Sequence, residues 1–128
     1  TPGVNIGLFC STPMVAVSRN VNRKQTMEML LLGEFITPSK AQEIGLINKI
    51  VSDKDLKEET IKVAKVIVSK SPTTVAIGKE AFYKQLEMNI EEAYKYTSQV
   101  MSRNMIEKDA QEGISAFIEN RDPKWLDK

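Results

Sequence analysis

A single segment of this chain, Leu46-Ile47-Asn48-Lys49-Ile50-Val51, has the β-branched richness of a strand, while every other periodic stretch is helical. A lone strand cannot pair its own N–H and C=O groups, and leaving them unpaired in an interior is costly. These residues therefore call for a sheet that they do not themselves encode. Together with a start at Thr1-Pro2-Gly3 rather than at Met, this predicts a piece of a longer chain.

The helices are marked by their ends. Residues 1–10 are apolar and punctuated by Gly3 and Gly7, which reads as a loop or short extended piece. Ser11-Thr12-Pro13 predicts a hydroxyl-capped helix to about Arg19. Asn22, three residues before Gln25, opens a helix carrying Met27, Leu30 and Leu31 up to Gly33. Thr37-Pro38 opens the next, through Ala41 and Ile44, and Gly45 supplies a left-handed stop.

From Asp53 the pattern is wholly helical. Leu56, Thr60, Val63 and Ile67 make one stripe, and Val75, Gly78, Phe82 and Leu86 make another after Ser71-Pro72. Gly78 within that stripe predicts close approach by a second helix. Asn89 with Glu92, and Asp109 with Glu112, read as capping boxes, and Arg121-Asp122-Pro123 should leave the last helix. The expected fold is mainly α with one or two short strands, divided into residues 1–52 and 53–128.

With 128 residues there is room for one ordinary domain. Lys and Arg total 18 against 17 Asp and Glu, so no basic surplus exists to gather phosphates, which argues against a nucleic-acid binder. No run approaches the ~18 apolar residues of a membrane span. No histidine is present and Cys10 is the one cysteine, which excludes an internal disulfide and removes the usual triad base and zinc ligand. No metal site is expected. Cys10 reads as a small apolar residue rather than a nucleophile, in a reducing compartment. Met27, Met29, Met88, Met101 and Met105 read as packing or subunit contacts.

Two runs carry a resemblance. Gly33-Glu34, Ile36, Ala41-Gln42-Glu43 and residues 45–51 resemble the segment T-G-E-x-I-x-A-x-E-A-x-x-x-G-L-V-N-x-V-V of the enoyl-CoA hydratase/isomerase superfamily, the crotonases. Asp109, Glu112-Gly113-Ile114, Ala116-Phe117, Arg121 and Pro123 resemble its D-x-x-E-G-x-x-A-F-x-x-x-R-x-P signature. The stretch from Phe82 to Leu86, with Tyr94, Thr97-Ser98-Gln99 and Gln111, is most similar to the domain-containing-3 branch. The resemblance implies the C-terminal half of a crotonase-type α/β fold, a spiral of ββα turns followed by a helical region that assembles as a homotrimer or homohexamer. It also implies an acyl-CoA thioester as substrate, no separate cofactor, and a bacterial cytoplasm or mitochondrial matrix as its setting.

Site residues follow only from that resemblance. The oxyanion-hole donors and the first hydratase carboxylate of the family lie in its first half, outside these residues. Family hydratases carry the second acid in P-E-x-x-x-G; here the motif reads Pro2-Gly3-Val4-Asn5-Ile6-Gly7, so Gly3 stands at the acid position. Glycine transfers no proton, so no catalytic residue is assigned, and Gly3→Glu in the complete protein is expected to introduce hydratase activity. Pro2, Gly3, Phe117 and Asn120 are the candidate substrate-binding residues. Phe117 matches a residue that touches the CoA nucleotide in the family, with Asn120 in place of a basic residue, Arg121 or Lys124 being able to compensate. By its apolar stripe alone, Phe117 reads as core. The expected function is thioester-enolate stabilisation on acyl-CoA, inactive in these residues alone; the alternatives are a non-catalytic helical oligomerisation module and an unrelated helical adaptor.

Overall fold

The computed structural model describes residues 1–126. It forms two compact units, one running from Thr1 to Leu56 and the other beginning at Lys57. The first contains a 3₁₀ turn, Pro2–Ile6, followed by α1 (Ser11–Asn20), α2 (Arg23–Leu32) and α3 (Pro38–Glu43). The chain continues with α4 (Leu56–Val68), α5 (Pro72–Gln85), α6 (Ile90–Met105) and α7 (Lys108–Ile118). No strand forms among the described residues, so the mainly helical expectation stands.

Four of the expected helix starts are built as short-range chemistry dictates. The side chains of Asn22, Thr37, Ser71 and Asn89 accept hydrogen bonds from the backbone N–H of Gln25, Lys40, Thr74 and Glu92, each three residues on, at 3.0 to 3.1 Å. Gly45 (φ 79°) ends α3 as expected, with Gly45 N–H donating to Gln42 O and Leu46 N–H to Ala41 O at 3.1 and 2.9 Å. Gly33 (φ 61°) ends α2 in the same left-handed region.

The expected strand over residues 46–51 is irregular backbone. With no neighbouring strand to complete a ladder, its groups turn to α3 instead: Gln42 Nε2 donates to Asn48 O at 3.2 Å, and Ile47 N–H to Ala41 O at 3.3 Å. Residues 2–6 coil into a 3₁₀ turn rather than extending, because Pro2 presets the helical φ of a first turn. α1 carries no side-chain cap; Ser11 lies inside its first turn, and its hydroxyl donates back to Phe9 O at 3.3 Å.

In the first unit α2 packs on the 3₁₀ turn and on α1, and Val21, Leu30, Ala41 and Ile44 are buried. In the second, α5, α6 and α7 pack pairwise, with Ala81 and Ala116 buried. The stripes read from sequence are largely not its interior. Leu56, Val63 and Ile67 on α4, Phe82 on α5 and Leu86 just after it remain exposed. A Cβ on Gly78 would meet nothing within 4 Å, so the expected close helix approach there is absent among the described residues.

Candidate functional site

Pro2 and Gly3 lie together in the 3₁₀ turn of the first unit. The residue before it, Thr1, is tied down through its Oγ1, which donates to Met29 O at 3.0 Å. Asn5 Nδ2 donates to Gly33 O at 3.1 Å, binding the turn to the end of α2. A Cβ on Gly33 would approach Val4 Cγ2 to 2.9 Å, so glycine there serves both the positive φ and the close seat of the turn.

Gly3 is buried, and its surroundings are filled. Its N–H donates to Cys10 Sγ at 3.3 Å, and its carbonyl accepts Leu8 N–H at 2.9 Å. A Cβ added to Gly3 would lie 2.7 Å from Cys10 Sγ and 2.8 Å from Leu8 O. The second of these is backbone, which cannot swing aside. The position expected to accept a glutamate therefore lacks room for any side chain. Cys10 serves as a sulfur acceptor for Gly3 N–H, a contact that its sequence neighbours gave no sign of.

Phe117 and Asn120 lie in the second unit and line one shallow cleft with Ala116, Arg121 and Asp122. Phe117 is 86% exposed, against the reading of its stripe as core. The buried face of α7 runs instead through Asp109 and Ala116, seven residues and two turns apart, and places Phe117 about 100° around the helix from Ala116.

Asn120 has a backbone task. It is the one described residue other than glycine with positive φ, at 53°. Asn120 N–H donates to Phe117 O at 3.2 Å and Arg121 N–H to Ala116 O at 3.0 Å, a left-handed termination that asparagine accepts more readily than most residues.

That reversal sends Arg121 back onto α7. Its Nη1 and Nη2 donate to Glu112 Oε1 and Oε2 at 2.6 and 2.9 Å, and its Nε donates to Glu119 Oε2 at 2.6 Å. Lys124 N–H adds a 2.7 Å bond to Glu112 Oε1. Asp109 is not the cap of α7: the helix begins at Lys108 after Glu107, and Asp109, 1% exposed, accepts Leu126 N–H at 2.6 Å through Oδ1. The expected capping box is thus a pair of acceptors for the chain beyond the helix.

The Arg121 fork, and after it the Lys124 N–H, pull the Glu112 carboxyl down from 4.5 to about 2, and the same carboxylate raises Arg121. A lowered carboxyl stabilises the folded state fully above its unfolded value of 4.5 and loses that contribution as pH falls toward about 2. The hold on the tail should therefore persist at pH 5 and weaken steadily from about 4.5 downward. Trp125, the one tryptophan, reports it: its emission should be flat from pH 7 to 5 and change below that, and a transition centred near pH 6 would contradict the assignment.

No three Asp, Glu or Cys side chains among the described residues group as a metal site. No described helix is long and apolar enough to cross a membrane. Glu112 and Glu119 are both engaged by Arg121, and Gly3 offers only backbone groups.

A family model described as enoyl-CoA hydratase/isomerase matches residues 1–128. Over 125 residues the chain is 52% identical to the enoyl-CoA hydratase domain-containing protein 3, mitochondrial, of Rattus norvegicus and 50% identical to that of Homo sapiens, covering 98% of this chain in both cases and 42% and 41% of those proteins. A crystal structure of an enoyl-CoA hydratase from Mycobacterium smegmatis matches with a TM-score of 0.95 at 47% identity, over 98% of this chain and 49% of that one. The human enoyl-CoA hydratase domain-containing protein 3 matches with a TM-score of 0.92 at 50% identity, over the same shares. The chain spans under half the length of these relatives.

Proposed function

Since this chain belongs to the enoyl-CoA hydratase/isomerase family, we propose that it is part of an acyl-CoA-binding subunit that stabilises a thioester enolate, and that these 128 residues alone do not catalyse the reaction. The observation that carries the second half is Gly3: at the place of the family acid there is neither a carboxylate nor space for one. Donors that hold an enolate oxygen must be fixed before charge develops on it, and on this reading they come from residues other than these. The substrate is a coenzyme A thioester and no separate cofactor takes part.

Phe117 supports a nucleotide-side role for the second unit, because an exposed ring at the end of α7 is free to stack on a base. Asn120 is committed to ending α7 and Arg121 is held by Glu112 and Glu119, so on this reading Lys124, three residues beyond Arg121, supplies the charge for a phosphate. The exposed apolar residues of α4, α5 and α6, among them Val63, Phe82, Tyr94 and Met101, support assembly as a homotrimer or homohexamer. The compartment is a mitochondrial matrix, as the names of the curated relatives suggest, or a bacterial cytoplasm.

Isothermal titration of the complete protein with acetoacetyl-CoA tests this. Saturable binding is expected, with Phe117→Ala weakening it several-fold. A folded oligomer without measurable heat would replace this reading by that of a non-catalytic oligomerisation module, and a strictly monomeric sedimentation profile would remove the assembly from both.

A further inference from the structure

The residues following α7 do not simply leave the molecule. Residues 121–126 run back along α7: Lys124 N–H bonds Glu112, and two residues later Leu126 N–H bonds Asp109, one helical turn nearer the start of α7. In an extended chain, N–H groups two residues apart face the same side, in the plane of the backbone, while the side chains stand roughly perpendicular to that plane. Acceptors three residues apart on a helix lie on one face. The two periodicities match, so two carboxylates read the backbone of this strap while the side chain of Trp125 turns onto the helix surface beside them.

Trp125 has its own seat. Its Nε1–H donates to Ser69 O at 2.7 Å, just past the end of α4. The ring lies over Gly113, where a Cβ would come to 3.5 Å from it. From there it walls one side of a cavity bounded by Thr74 and Val75 of α5, Asn104 of α6, and Ala110 and Ile114 of α7. Elsewhere the strap buries little: Asp122, Pro123, Lys124 and Leu126 are exposed. Its hold is polar, through Glu112, Asp109 and Ser69, with one part-buried ring as the apolar anchor.

We infer that residues 121–126 form a latch, a strap whose backbone is read by Asp109 and Glu112 of α7, which covers one side of the cleft between α5, α6 and α7 with Trp125 and comes away as one unit. Arg121 is its hinge-side pin, because the left-handed Asn120 aims it at Glu112.

The whole chain contains one tryptophan, so its emission belongs to Trp125. Acrylamide quenching is compared for the wild-type chain, Arg121→Ala, Glu112→Gln and the control Glu91→Gln, with anilinonaphthalene sulfonate as a probe of uncovered apolar surface. Neither Arg121 nor Glu112 bonds the indole. Release of the strap as a unit should nevertheless raise the quenching constant at least twofold in both variants, increase dye binding, and leave the far-ultraviolet circular dichroism of the helices intact; Glu91→Gln should match wild type. Unchanged quenching in both variants would overturn the latch. Increased quenching without added dye binding would overturn the covering of the cleft by Trp125, and loss of helix signal in step with quenching in both variants would overturn the latch by showing that strap and helices are a single structure.

Discussion

Leu30→Ala is expected to cost about 3 kcal/mol, the middle of the range for deleting a fully buried leucine, and to bring the first unit close to unfolding. Leu30 is 0% exposed and is the largest fully buried apolar side chain among the described residues. Its unit has few substitutes, since Ala41 is small and Val21 and Ile44 complete the buried apolar set. A domain's whole stability is on the order of 0.1 kcal/mol per residue, so such a loss is a large share of what a unit this size possesses. Hydrogen exchange at the α2 amides and urea denaturation followed by circular dichroism would register it. A loss under about 1 kcal/mol would mean that the site collapses around the missing methyl groups, or that Leu30 is not the centre of this core.

Gly3→Glu is expected to destabilise the 3₁₀ turn by about 1–3 kcal/mol, as overpacking does, and to give no hydratase activity on crotonyl-CoA in the complete protein. The expectation from sequence was the reverse, that an acid restored at this position would supply the missing proton transfer. The structure changes it because the first atom of any side chain already meets Leu8 O at 2.8 Å. Gly3 is not among the glycines with positive φ, so space alone demands it. Gly3→Ala separates the two causes: it carries the offending Cβ without a carboxylate and should lose most of the same stability. Measurable hydration by Gly3→Glu, with an unchanged denaturation midpoint, would restore the simple reading of a missing acid.

The latch and Gly3 share a logic. In both places a motif with a catalytic or capping reading in sequence turns out to position backbone. Asp109 and Glu112 have the spacing of a capping box, and that spacing is real; what they accept is the N–H of Leu126 and of Lys124 rather than those of the helix start. A clue was present in Asn120-Arg121-Asp122-Pro123, because an asparagine just after a helix followed by proline suits a left-handed stop. It marks where α7 ends, without revealing that the chain then folds back.

What the sequence by itself determined are the features whose physics is complete within a few residues. Asn22, Thr37, Ser71 and Asn89 each satisfy a donor three positions away, and Gly45 relieves a backbone that other residues resist, so these helix limits follow from local chemistry. The family, too, was legible in residues 33–51 and 109–123, because residue order survives in a sequence whatever the packing. Tertiary structure alone decided that residues 46–51 find no ladder among the described residues, that Phe117 faces outward while Ala116 is buried, that Cys10 and Leu8 close the space at Gly3, and that Asp109 holds Leu126. Each depends on which groups meet after the chain has turned, and apolar periodicity marks a helix face without naming what comes to lie against it.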